Sequence, residues 1–332
     1  MPRYFVTGAT GFVGAEVAKQ LLSRGHSVAV LVRDPAQATL LARLGADVHA
    51  GDITAPASLR TPMRGADGVF HIAGWYKTGQ PRAAAVAESV NVGGTRHVLT
   101  AMRDLGIRKG VYTSTLAVNS DTRGAVVDET YRHAGPHLTV YERTKWQAHY
   151  EVALPMIAAG LPLVIVQPGA VYGPGDTSAL RAVFVAHLRR RLPLVPARTA
   201  FCWGHIEDIA RAHVEAMERG RPGQSYFIAG PPHTLYEAVT LAARHSGRPA
   251  PLAAVPPALL RGAAHLAGAV EALLPLPAAL SSETLAVLGG ATYLGADDKA
   301  RRELGFAPRP LGDGLRHLVE HEMRRLGLTP PD

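Results

Sequence analysis

A single cysteine, Cys202, in 332 residues excludes an intramolecular disulfide framework and any multi-cysteine metal site. Charged residues are only 19% of the chain and aromatics 6%, and lysine is scarce: Lys19, Lys77, Lys109, Lys145 and Lys299 are all there are. The formal charge of +8 therefore rests on scattered arginines. Their short runs, Arg189-Arg190-Arg191, Arg301-Arg302 and Arg324-Arg325, fall in helix-like segments and read as solvated faces. No basic stripe is interleaved with aromatics, so nucleic acid is not an expected partner. Nor is a membrane. The most apolar late stretch, Gly262 to Leu280, is broken by Glu271, Pro275 and Pro277 and is too short to span a bilayer. It reads instead as a cap on a substrate pocket. Glycine and proline, at 34 and 25 residues, stay below the share typical of disordered chains. Tyr4-Phe5-Val6 reads as a buried strand rather than a secretion signal, and a reducing, cytoplasmic setting is the expectation.

What the chain does have is alternation. Short apolar runs at residues 4–7, 27–32, 47–50, 68–72, 110–114 and 162–167 read as strands. Amphipathic stretches at 14–24, 36–44, 84–105 and 141–159 lie between them and read as helices. Strands alternating with helices imply an α/β fold with a parallel sheet covered on both faces. Ligands on such sheets bind at the carboxyl ends of the strands, near the point where strand order reverses. Beyond Gly169 the pattern loosens, with a strand-like run at 225–229 and an Ala/Leu/Pro-rich region at 250–288. The expected architecture is a Rossmann-type, doubly wound sheet over residues 1–170. A smaller, interleaved substrate-binding domain follows over 171–332, with segments near 200–220 returning to the first.

The run Thr7-Gly8-Ala9-Thr10-Gly11-Phe12-Val13-Gly14 joins the first strand to the first helix. Gly8 permits the tight turn, Gly11 lets backbone approach a pyrophosphate, and Gly14 allows close helix–strand packing. The helix start then offers free N–H groups to the phosphates. This context points to a dinucleotide cofactor. The slot that usually carries a ribose-binding carboxylate at the end of the second strand holds Val32, and Arg33 follows. Arg33 can grip a 2′-phosphate, which favours NADP over NAD; the alternative is an idle Arg33 with Asp34 binding NAD. Asp52 is a candidate acceptor for the adenine amino group, with Ile53 against the ring, unless Asp52 only caps the next turn. His71-Ile72-Ala73-Gly74 follows the fourth strand, where small residues such as Ala73 let a cofactor lie close; His71 itself reads as structural.

Tyr141 and Lys145 lie four residues apart, on one face of a helix. Carbonyl reduction needs an acid for the developing alkoxide, and an unperturbed tyrosine, with a pKa near about 10, needs help to cycle at neutral pH. A nearby Lys145 ammonium would favour the phenolate and could hold ribose hydroxyls. A second hydroxyl should steady the substrate oxygen, and the strand ending Thr113-Ser114-Thr115 offers three.

Taken in order, Thr7–Gly14, Gly51-Asp52, Asn91-Val92-Gly93-Gly94-Thr95, Thr113-Ser114-Thr115, Tyr141 with Lys145, Pro168-Gly169-Ala170-Val171-Tyr172-Gly173-Pro174-Gly175 and His205-Ile206-Glu207-Asp208 resemble the extended short-chain dehydrogenase/reductases. The resemblance is to their NAD(P)-dependent epimerase/dehydratase group and covers nearly the whole chain. It implies Tyr141 as acid/base, Lys145 as its partner and Thr115 as the catalytic hydroxyl, with Ser114 as fallback. Thr113, Pro168 and Val171 would border the cofactor, and Asn91 would brace its loop. Arg33-Asp34-Pro35 after a valine resembles the dihydroflavonol-reductase-like branch, which implies NADPH-dependent carbonyl reduction. Two departures stand out: Asn119 is one residue out of step with that branch's substrate-contacting asparagine, and Leu40 replaces a second phosphate-binding base. The rivals are a nucleotide-sugar epimerase or dehydratase and a non-catalytic NADPH-binding regulator. Many of the former carry an arginine where this chain has Phe201, and an apolar slot suits an apolar substrate. Trp75, Tyr76, Tyr172, Phe184, Phe201 and Trp203 are candidate pocket walls. The helices at 84–105 and 141–159 are those through which the family often dimerises. Their small residues Ala84, Ala85, Ala87, Ala148 and Ala153 make a homodimer the expected assembly, and no metal is expected.

Overall fold

The valine- and isoleucine-rich runs form the strands β1 (Arg3–Thr7), β2 (Ser27–Val32), β3 (Asp47–Ala50), β4 (Gly68–His71), β5 (Gly110–Thr113) and β6 (Leu163–Pro168) in the computed structural model, which describes residues 1–77 and 83–329. Shorter strands follow: β7 (Ala170–Tyr172), β8 (Leu194–Pro196), β9 (Ala200–His205), β10 (Ser225–Ile228), β11 (Pro232–Thr234), β12 (Ala253–Val255) and β13 (Thr292–Tyr293). Seven of them make one parallel sheet in the order β10-β6-β5-β4-β1-β2-β3.

Alternate residues of these strands go to opposite faces, and both faces are buried. Tyr4, Val6, Val28 and Val30 pack with Val17 and Leu21 of the helix Phe12–Ser23 and with Ile209 and Ala212 of the helix Ile206–Glu218. Phe5, Ala29 and Leu31 pack on the other face with Val98, Leu99, Met102, Ala148 and Val152. Strand order reverses between β1 and β4, and the glycine loop leaves β1 at that point.

The two long helices expected at 84–105 and 141–159 run over 84–104 and 140–158, and each contains a π-helical segment, Ser89–Gly94 and Ala148–Ala153. The two segments pack against each other. Ala87, Ala148 and Ala153 are consequently buried within the chain rather than left for a subunit contact. The helix expected at 36–44 breaks into a 3-10 turn, Pro35–Ala38, and a short helix, Thr39–Arg43, because Asp34 caps the turn and Pro35 opens it.

The second half builds its own core. A small sheet of β11, β9 and β13, with β7 also paired to β9, is covered by the helices Ala179–Leu188, Leu235–Ser246 and Leu311–Arg325. The chain returns to the large sheet at 206–228: the helix Ile206–Glu218 covers one face and β10 takes the edge beside β6. Residues 200–205, placed in the return by the sequence pattern, belong as β9 to the small sheet. Residues 330–332, the end of the expected 171–332 unit, lie outside the described residues.

Candidate active site

Gly8 sits at φ +75°, and a Cβ there would stand 2.7 Å from the amide nitrogen of Ala73. At Gly14 a Cβ would stand 2.2 Å from the Gly8 carbonyl oxygen. No side chain fits at either position, so β1, its helix and the chain after β4 meet backbone to backbone. The helix begins at Gly11 with no side-chain cap, Thr10 and Gly11 are exposed, and Phe12 and Val13 are half-buried. Its first amides are open at the switch point, where an anion is stabilised by the helix start.

Beneath the loop lies a buried polar chain. Thr7 Oγ1 accepts from the amides of Ile72 and Ala73, both at 3.2 Å, so its own proton goes to His71 Nδ1 at 2.9 Å. His71 Nε2 then donates to Thr95 Oγ1 at 3.0 Å, which makes the imidazole neutral. Burial, with a smaller push from Lys145, lowers its pKa to about 3. Thr95 also lies beside Tyr112, where it offsets part of the rise that burial gives that phenol's pKa. Asn91, carried on the first π segment, accepts from Trp75 N at 2.7 Å and donates to Trp75 O and Thr144 Oγ1, tying the chain after β4 to the Tyr141 helix.

At the adenosine end Arg33 is exposed and has no partner among the described residues. Asp34, the rival for the ribose, is occupied: it accepts from Ala36 N at 3.0 Å and Gln37 Nε2 at 3.2 Å. Asp52 spends one oxygen on Thr54 N and Oγ1, both at 2.8 Å, and so does cap the following turn. Ile53 is buried against Gly94, where a Cβ would meet it at 2.5 Å.

The three hydroxyls after β5 go to three partners. Thr113 donates to His213 Nε2 at 2.9 Å, because His213 Nδ1 is committed to the Ile209 carbonyl at 2.7 Å. Ser114 bonds His149 Nδ1 at 2.9 Å. Thr115 lies beside the Tyr141 phenol, whose pKa it lowers, and caps the turn Leu116–Asn119 through Ala117 N at 3.2 Å. Ser114 is thereby turned to His149, which leaves Thr115 beside the phenol.

Tyr141 is half-buried in the first turn of the helix Val140–Gln147, which Thr139 caps through Glu142 N at 3.1 Å. Burial raises the phenol pKa, the Thr115 bond lowers it, and the neighbouring Glu142 carboxylate raises it. Lys145 is buried one helical turn on. Its Nζ donates to the Thr113 carbonyl at 2.7 Å and to Tyr112 Oη at 3.3 Å, and lies 4.0 Å from where a Gly74 Cβ would stand. Burial brings its pKa down to about 7. The ammonium thus faces the chain after β4.

Glu142 is itself buried, accepting from Tyr293 Oη at 2.6 Å, Ser120 Oγ at 2.8 Å and Leu138 N at 3.0 Å. Burial raises its pKa. Glu142, Tyr112, Thr95 and Tyr293 escaped the sequence reading, since an acid after the tyrosine or a tyrosine inside an apolar strand carries no local signal. Asn119, out of register by sequence, is buried with neither side-chain amide atom bonded among the described residues.

The expected pocket walls divide. Tyr172, Phe184 and Trp203 are fully buried in the second core, with Tyr172 pressed against Gly314, and they are packing residues. The helix that encloses them, Leu311–Arg325, is more than a hundred residues away in sequence, so periodicity could not reveal it. Trp75 is half-buried, and Tyr76 is exposed with its hydroxyl 3.0 Å from Thr177 Oγ1. Phe201 is half-buried and stacks flat on Tyr293, 5.6 Å away and 4° from parallel. Pro168 is buried at the end of β6 and Val171 half-buried on β7. No cluster of three or more potential metal ligands occurs among the described residues.

The buried histidines have a consequence for stability. His71 and His149 have pKa values held down by burial to about 3, and His213 to about 4. The unfolded chain binds those protons near pH 6.5 while the native state refuses them, so stability falls as pH drops below about 6.5. The thermal midpoint is expected to fall by on the order of 10 °C between pH 7 and pH 5. A midpoint unchanged over that interval, read by calorimetry, would refute the neutral buried imidazoles.

Residues 4–229 match the NAD dependent epimerase/dehydratase family. The chain belongs to that family. It is an NAD(P)-dependent enzyme of the extended short-chain dehydrogenase/reductase type. The 4-hydroxy-2-methyl-3-oxo-4-farnesyl-3,4-dihydroquinoline-1-oxide ketoreductase of Stigmatella aurantiaca is 34% identical over 313 residues, covering 92% of each chain. Sterol demethylase protein B of Methylococcus capsulatus is 30% identical over 91% of this chain and 93% of its own. The crystal structure of gox2253 matches with a TM-score of 0.84 at 28% identity, covering 99% of this chain and 100% of that one. No helix among the described residues is long and apolar enough to cross a membrane.

Proposed function

We propose that this family member is an NADPH-dependent reductase of a carbonyl on a small, largely apolar substrate. The observation that carries the reading is the Tyr141 phenol paired with Thr115 at the carboxyl edge of the sheet, one helical turn from Lys145. The residues present fit the cofactor. The glycine cradle would take the pyrophosphate, and the unpartnered Arg33 beside a committed Asp34 suits a 2′-phosphate. Lys145, facing Gly74, would hold the nicotinamide ribose, with Ala73, Pro168 and Val171 beside the ring; the second oxygen of Asp52 remains for the adenine amino group. When bound, NADPH supplies the hydride.

The chain's own residues handle the proton. Tyr141 gives its phenolic proton to the substrate oxygen as negative charge develops there, and Thr115 donates a hydrogen bond to the same oxygen. Phe201 on Tyr293 offers an apolar wall, and the unpaired amide of Asn119 suits a polar group on the substrate. The ketoreductase and sterol-demethylase relatives have names that carry a farnesyl group and a sterol, which supports the apolar character of the substrate.

The experiment is a screen of purified protein with NADPH against ketones, aldehydes and nucleotide sugars. Oxidation of NADPH by apolar carbonyl compounds is the expected outcome. Epimerisation of a nucleotide sugar without net cofactor turnover would overturn the reading. Cofactor binding with no turnover of anything in the screen would favour a regulator instead.

A further inference from the structure

The carboxylate directly after Tyr141 is out of solvent: Glu142 is 1% exposed. Its oxygens are taken by donors from three separate segments. Oε1 accepts from Tyr293 Oη at 2.6 Å, and Oε2 from Ser120 Oγ at 2.8 Å and Leu138 N at 3.0 Å. Burying an acid seldom adds stability over an apolar side chain of the same size, so its role lies in what it joins.

Each donor leads to a different part of the site. Ser120 closes the turn Leu116–Asn119, which Thr115 opens with its hydroxyl on Ala117 N. Ser120 sits at φ +50°, a left-handed conformation that costs energy in a residue with a side chain, and the bond to Glu142 helps to hold it there. Tyr293 comes from β13 of the small sheet, and its ring lies flat on Phe201. Leu138 stands just before Thr139, the cap of the Tyr141 helix. From the segment that carries Tyr293, Glu283 also accepts from Val140 N at 2.8 Å. The residues on both sides of Tyr141 are therefore held by residues 283–293 of the second half.

We propose that Glu142 is a positioning residue, whose carboxylate braces Tyr141 against the Thr115 turn and the Phe201 wall so that proton donor, second hydroxyl and substrate surface keep one geometry. Its value to the reaction rests on the reading of Tyr141 as proton donor; the brace itself does not. A reacting group displaced by a fraction of an ångström loses rate without losing binding, and the first turn of a helix is where such freedom is greatest.

The test uses two brace variants and one control. Tyr293→Phe removes a hydroxyl and keeps the ring on Phe201, and Glu142→Gln replaces one of the accepting oxygens by an amino group. The control, Tyr226→Phe, removes a buried phenol that donates to Glu303 at 2.8 Å on the edge strand β10. Both brace variants should lower kcat by about 10- to 100-fold while substrate KM and NADPH affinity stay within about twofold. Tyr226→Phe should leave kcat in place even where it lowers the thermal midpoint. Amide hydrogen exchange at Val140 to Thr144, in the full chain, should quicken in the brace variants and not in the control. The proposal is overturned by unchanged exchange, by a kcat in Tyr293→Phe within about threefold of wild type, or by an equal fall in Tyr226→Phe. A raised KM at unchanged kcat also overturns it, since Tyr293 would then be a substrate contact. A wild type that reduces no carbonyl counts against the reductase reading, and the exchange at Val140 to Thr144 then decides the brace on its own.

Discussion

Tyr141→Phe is expected to lower kcat by about 10²- to 10⁴-fold, the usual span for losing a positioned general acid, while NADPH affinity stays within about twofold. The ring and its packing survive the substitution, and only the hydroxyl beside Thr115 is lost. Thr115→Ser retains both the donor to the substrate oxygen and the cap on Ala117 N, so it should keep most activity; Thr115→Ala removes both. Ser114→Ala is the informative companion, because Ser114 is turned to His149 and its loss should spare the chemical step. Steady-state rates with cofactor titrations separate these effects. Full turnover in Tyr141→Phe, or a greater loss from Ser114→Ala than from Thr115→Ala, would move the proton transfer to another group.

The second large effect concerns cofactor choice. Arg33→Ala should weaken NADPH binding by about 10- to 100-fold, the worth of charge-assisted bonds to a phosphate, with NADH binding almost unchanged. The asymmetry follows from Asp34, whose carboxylate caps the turn at Ala36 and Gln37 and is not released when the arginine is shortened. Fluorescence titration of both cofactors against wild type and variant measures the ratio. An unchanged ratio would show that Arg33 is only a solvated side chain.

Much of the cofactor end was legible because its chemistry is local. Gly14 is dictated by a contact within one strand–loop–helix unit, Gly8 by the tight turn as well as by the backbone of Ala73, and Arg33 follows its strand directly. The alternation of apolar residues gave six sheet strands to within a residue or so of their ends, because burial on both faces demands near-continuous apolar runs. Capping was only partly legible: Asp52 was open to either a ligand or a turn, whereas the cap made by Asp34 carried no signal and only the hydrogen bonds show it.

The substrate side resisted for a physical reason. Tyr172, Phe184 and Trp203 look like pocket aromatics in sequence, yet a helix from the far end of the chain closes over them. The partners of Tyr141 and Lys145 are equally non-local: Glu142 is fixed by Tyr293 and Ser120, and Lys145 by a tyrosine of β5. By itself the sequence determined the parallel sheet, the dinucleotide loop and the tyrosine–lysine helix, since each rests on spacing within one element or its immediate neighbour. Tertiary structure decided which hydroxyl meets the phenol, where the lysine's charge is held and which aromatics are core. Those outcomes depend on which distant segments pack together, and no local periodicity encodes that pairing.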